Sequence, residues 1–112
     1  QAQGTVITNG PGAAITGYAT PAAVSTQGGP VTYINGDPVT HDVIAKQFGP
    51  GNQPWCASFP LNRCPLFFTP LIGLGEQVEV AGLENAVPGA TYDFYCSLHA
   101  GMKGKLVIAP AV

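Results

Sequence analysis

The sequence predicts an all-β domain, a sandwich or barrel, on three observations. The 15 glycines and 11 prolines approach a quarter of the 112 residues. Between them Val, Ile, Thr, Tyr and Phe fall in short runs that alternate with polar residues, the period of a half-buried strand. No segment carries a convincing amphipathic helical period, and no internal repeat is present. Many short strands punctuated by turn residues belong to sandwiches and barrels. The length suits one domain, residues 1–112, with a single core.

In chain order, residues 1–12 are polar and glycine-rich around Val6-Ile7, so they read as a first strand or a weakly ordered, flexible N-terminal segment. Ala14–Tyr18 and Ala23–Thr26 are candidate strands, closed by Thr20-Pro21 and by Gln27-Gly28-Gly29-Pro30. Val31–Asn35 alternates and is rich in β-formers. Gly36-Asp37-Pro38 is a turn, and His41–Lys46 is the next strand, with His41 at its start. Phe48–Pro65 is irregular and holds Trp55, Cys56 and Cys64. Phe67–Pro70 is extended and Leu71–Gly75 is a loop. In Gln77–Ala81, Val78 and Val80 share one face while Gln77 and Glu79 share the other. After a connection over 82–89, Tyr92, Phe94 and Cys96 alternate with Asp93 and Tyr95, and Leu106 and Ile108 resume that pattern beyond Gly104.

Charge excludes several function classes. Only 9 % of residues are charged and the formal net charge is −2. A nucleic-acid partner would want a basic face, which this composition does not promise. No apolar run nears the roughly 20 residues of a membrane-spanning helix. Three cysteines are an odd count. In an exported protein two pair and one is kept for a reason. Cys56 and Cys64 are the expected disulfide, closing a small loop in a proline-rich stretch with few other means of ordering itself.

The third cysteine stands in Cys96-Ser97-Leu98-His99-Ala100-Gly101-Met102. A thiolate, an imidazole and a thioether three residues apart can point into one small volume, and these are copper-selecting ligand types. His41, the other histidine, is the natural fourth ligand, completing a His₂Cys set with a weak axial Met. Taken singly, Cys96 reads as a buried core residue and Met102 as a core gap-filler. His41, Cys96 and His99 with a water would also make a zinc site. Zinc has no need of Met, so the whole constellation favours one type 1 copper.

Tyr92–Leu106 closely resembles the ligand loop of the cupredoxins, the plastocyanin-like and amicyanin-like blue copper proteins. The Cys-x-x-His-x-x-Met spacing is similar to the short amicyanin loop, while Tyr92-Asp93-Phe94-Tyr95-Cys96-Ser97 looks more like plastocyanin. Val31–Asn35 followed by His41-Asp42-Val43, and Phe68-Thr69-Pro70 followed by Gly75, also resemble the family, so the likeness spans about Ile15 to Ile108.

The resemblance implies an antiparallel Greek-key β-sandwich with copper near one end, ligated by His41, Cys96, His99 and Met102. It implies a small electron-transfer protein, not an enzyme, monomeric and exported to a periplasmic or extracellular space. A copper-handling protein, or the soluble domain of a larger membrane-bound copper protein, is the alternative. Asp42 stands where the family usually has Asn. Asp42 and Ser97 are expected to brace the ligands. An apolar rim of Pro38, Val39, Leu98 and Ala100 near His99 is expected to dock redox partners. The Cys56/Cys64 insertion and the lack of an acidic patch depart from plastocyanin.

Overall fold

The computed structural model describes residues 5–60 and 62–110. Among these residues seven strands form two sheets that face each other across an apolar core. One sheet has the order β1 (Thr5–Asn9), β3 (Val31–Asn35), β5 (Gln77–Glu79). The other has the order β2 (Ala22–Ser25), β7 (His99–Ile108), β6 (Thr91–Cys96), β4 (Ile44–Ala45).

Up to β6 the chain changes sheet with every strand, so sequential strands lie in opposite layers. Except in the β6–β7 hairpin, neighbours within a sheet are therefore separated by a trip through the other layer. Two pairings consequently run parallel, β1 with β3 and β2 with β7, while β3–β5, β4–β6 and β6–β7 are antiparallel. The sandwich is thus mixed, and the antiparallel expectation holds for three of its five pairings.

Alternation sets the core. In β3, Val31, Tyr33 and Asn35 point inward. In β6 and β7, Tyr92, Phe94, Cys96, Met102, Leu106 and Ile108 do the same. Tyr18 bridges the layers, edge-on to Phe94 at 4.9 Å and to Tyr33 at 6.1 Å. Its hydroxyl donates to the Asp42 carbonyl at 2.6 Å. Each large side chain fully buried here contributes about 1.5–3 kcal/mol. Gly104 is a packing requirement, since it pairs with Phe94 and a Cβ there would overlap the Phe94 ring.

One local expectation is decided between its two readings and three differ from the structure. Of the two readings of the N-terminal segment, Thr5–Asn9 take the first and form strand β1, paired with β3. Ala13–Thr16 is one helical turn, α1, where a strand was predicted. Gly12 and Gly17 flank it with positive φ, and only Ala13 of its residues is buried. Ile15 is left almost fully exposed, so the apolar spacing there does not mark a buried face. The strand predicted over His41–Lys46 shortens to β4, because His41 pairs with Ile72 in an isolated bridge. Past the Ser97-Leu98 turn, β7 starts at His99, so two of the loop's candidate ligands sit on strand backbone.

Phe48–Pro65 is ordered by three devices. Cys56 and Cys64 are disulfide-bonded. Trp55 is buried against Phe68, with ring centroids 5.4 Å apart. The Trp55 indole N–H donates to the Pro65 carbonyl at 3.0 Å. No helix among the described residues is long and apolar enough to cross a membrane.

Candidate metal centre

The centre lies where the β6–β7 hairpin meets the His41 segment. Cys96 ends β6, Ser97-Leu98 make the turn, and His99 opens β7 opposite Cys96. The strand register shifts between Tyr95 and Cys96. Such an irregularity re-aims side chains, and here His99 turns toward the thiol. From Met102 onward, alternate residues of β7 face inward, which leaves Met102 fully buried at the same end of the core. His41 is also fully buried. Its backbone N–H and carbonyl exchange hydrogen bonds with Ile72 at 3.2 and 3.0 Å.

Cys96 Sγ is 3.6 Å from His41 Nδ1 and 3.7 Å from His99 Nδ1. The three ligand atoms all lie within 4.8 Å of one another. The two imidazole centroids are 4.9 Å apart. One soft thiolate and two neutral imidazole nitrogens converging on one point suit copper or zinc, and a buried thioether beside them suits copper. Burial pushes the Cys96 thiol above its usual pKa, against hydrogen bonds from the Asp42 and Leu98 backbone that favour the thiolate.

No family model and no curated protein matches the sequence. Solved structures do match it. A reduced, Cu(I) point variant of amicyanin at pH 4 superposes with TM-score 0.64 at 22 % identity, over 96 % of this chain and 84 % of that one. A purple cupredoxin from Nitrosopumilus maritimus superposes with TM-score 0.64 at 20 % identity, over 93 % of this chain and 98 % of the other. Amicyanin from Paracoccus versutus gives 0.63 at 18 %, over 96 % and 83 %. The chain has the cupredoxin fold. Within that cupredoxin sandwich, His41, Cys96, His99 and Met102 are positioned as a copper site.

Two buried carboxylates brace this cupredoxin site. Asp42 ties the ligand turn down: one oxygen accepts from the Ser97 backbone N–H at 2.8 Å and the other from the Ser97 hydroxyl at 2.6 Å. Asp37 is the residue that sequence reasoning missed, since Gly36-Asp37-Pro38 reads as an ordinary turn. Its carboxylate meets His41 Nε2 at 2.5 Å, the ring nitrogen facing away from Cys96. That contact holds the Asp37 carboxyl below the usual carboxylate pKa, opposed by burial and helped by the Gly12 N–H. A carboxylate on the outer nitrogen fixes the imidazole tautomer and leaves Nδ1 free for a metal.

Asp37 is placed by a buried amide network that the sequence also concealed. Asn35 accepts from Asn9 Nδ2 and from the Asp37 backbone N–H, both at 2.9 Å. Its own Nδ2 donates to the carbonyls of Val39 at 3.0 Å and Ile72 at 2.8 Å. Tyr33 donates to Asn9. The 36–41 turn is thereby fastened to β1, to β3 and to the segment of Ile72 at once. The spacing of Asp37 and His41, four residues apart, is the one sequence signal that pointed to the pair.

The rim residues divide. Pro38, Val39 and Leu98 are exposed, and His99 is half-buried beside Leu98. The Ala100 side chain lies outside what the structure describes. Leu71 and Leu74 are exposed as well, and Leu71 precedes the Ile72 that pairs with His41.

Proposed function

We propose that this chain is a small blue copper electron carrier, with one type 1 copper held by His41, Cys96, His99 and Met102. The convergence of three donor atoms within 4.8 Å at the end of a cupredoxin sandwich carries this reading. Copper, when bound, supplies a one-electron Cu(I)/Cu(II) couple. The protein's part is to keep the donors in place. His41 is locked by Asp37 and the Ile72 bridge, Cys96 and His99 by the hairpin and Asp42, and Met102 by the core. Rigid donors change little when the charge at the site changes.

Four protein donors leave no open position for a substrate, which supports a carrier over an enzyme. A buried thiol and a single buried Met suit retention better than exchange, which favours a carrier over copper handling. The disulfide suits an oxidising, exported setting. Pro38, Val39 and Leu98 beside His99 form an apolar rim where a redox partner docks.

Loading the protein with Cu(II) and recording visible absorption and EPR tests this. An intense thiolate-to-copper band with narrow hyperfine splitting is expected. Weak absorption with ordinary hyperfine splitting, or a preference for zinc with no colour, overturns the reading.

A further inference from the structure

The chain has four cationic residues, Lys46, Arg63, Lys103 and Lys105. All four line two adjoining surface grooves on the outer side of the β2–β7–β6–β4 sheet. One groove, of about 300 Å³, is bordered by Lys46, Lys103, Lys105 and Asp93. The other, of about 350 Å³, is bordered by Lys46, Arg63, Phe48, Phe59 and Tyr95. Lys46 belongs to both.

The sheet register explains the clustering. Lys103 stands opposite Tyr95 and Lys105 opposite Asp93, so all four side chains share the outward face. Lys46 joins them because its N–H bonds the Asp93 carbonyl at 2.9 Å. Asp93 is the one acid on this face. Its carboxyl is held below the usual range, first by a 2.8 Å contact with Lys105 and then by Lys46 and Lys103. Of the other five acids, Asp37 and Asp42 are buried at the metal centre, and Glu76, Glu79 and Glu84 lie on β5, beside it, or in the turn Leu83–Asn85. A chain of net charge −2 therefore carries a face with four cations against one acid.

We propose that this face binds the acidic surface of a partner protein; under the proposed function, on which this point rests, that partner exchanges electrons with the site from a second side, away from the His99 rim. Charge complementarity selects an acidic partner. The aromatic floor selects a protein over a bilayer: Phe59 and Tyr95 are half-buried in a concave groove rather than protruding, and only Phe48 stands out, 54 % exposed. Tyr95 precedes Cys96 in the chain, so a protein seated here lies one residue from the thiol.

The test uses copper-loaded, reduced, ¹⁵N-labelled protein titrated with capped decaglutamate in about 10 mM salt, where the Debye length is about 30 Å. Amide shifts are expected at residues 46–48, 63, 93–95 and 103–105. They should collapse near 0.15 M salt, where screening acts within about 8 Å. Arg63→Gln with Lys103→Gln should weaken binding roughly two- to fivefold per charge removed. Shifts that are absent at low salt, that centre on Val39 and Leu98, or that ignore the double variant overturn the proposal. So does co-sedimentation with phosphatidylglycerol vesicles under conditions where decaglutamate does not bind. The visible band of the oxidised sample reads the copper assignment separately: a colourless protein with these shifts fails that assignment and keeps the acidic-partner face.

Discussion

His41 and Asp37 form a buried pair, the imidazole Nε2 2.5 Å from a carboxylate oxygen, while the same ring's Nδ1 faces the Cys96 sulfur. One histidine thus links a carboxylate to the candidate metal position. The carboxylate orients the ring and places negative charge near the site, and that charge favours the more highly charged oxidation state. Asp37→Asn is expected to raise the reduction potential by some tens of millivolts, where about 59 mV is a tenfold change for a one-electron couple. Asp37→Ala is expected to weaken copper binding roughly 10- to 100-fold as well. Voltammetry and competitive copper titration measure the two. An unchanged potential in Asp37→Asn would show that the pair acts only as a fold support.

Asp42 acts on the thiol side. Asp42→Asn keeps an oxygen for the Ser97 N–H, so the site should assemble and keep its colour, with a potential raised by loss of the charge. Asp42→Ala frees the Ser97-Leu98 turn and is expected to broaden the EPR signal and weaken copper binding roughly 10- to 100-fold. Identical spectra for Asp42→Ala and wild type would remove Asp42 from the bracing of the site.

Because burial raises the Cys96 pKa, the thiol is protonated in the metal-free protein at neutral pH, and copper must displace that proton. Apparent affinity should therefore rise with pH, about tenfold per unit, and level off once pH passes the thiol's raised pKa. Calorimetry in buffers of different ionisation enthalpy should register the released proton. Cys96→Ser should lose both the proton release and the blue band, and a variant that stays blue would sink the ligand assignment.

The disulfide is predicted to stabilise the fold without touching the site. Closing a loop this short contributes about 2–3 kcal/mol by the chain-entropy argument. Cys56→Ser with Cys64→Ser should lower Tm by roughly 10 °C, while the spectrum of the copper form stays the same. A colour change would place the Phe48–Pro65 segment in mechanical contact with the metal centre.

Gly104→Ala probes the packing behind the ligand hairpin. The added methyl meets the Phe94 ring with no room to spare. Overpacking of this kind costs about 1–3 kcal/mol, which denaturant unfolding should show as a lower midpoint. An unaltered midpoint would mean that Phe94 swings aside freely.

The sequence by itself determined the fold class and a candidate donor set. Alternation with period two is a local property, so Val31–Asn35, Gln77–Glu79 and Tyr92–Cys96 could be read as strands directly. Cys96, His99 and Met102 are separated by only six residues, so their convergence needed no long-range information. The tertiary structure decided everything that depends on which strands become neighbours. The parallel pairings of β1 with β3 and of β2 with β7 arise from chain crossings between sheets, which no local pattern encodes. The turn of helix at Ala13–Thr16 follows from its glycine flanks, and α1 buries only one of its residues. The role of Asp37 and the gathering of four cations on one face were equally hidden. A carboxylate in Gly36-Asp37-Pro38 looks solvated until Asn9, Asn35 and Tyr33, supplied by two other strands, bury it against His41. Lys46, Arg63, Lys103 and Lys105 are scattered along the chain, and only the sheet register and the closed Cys56–Cys64 loop bring their charges together.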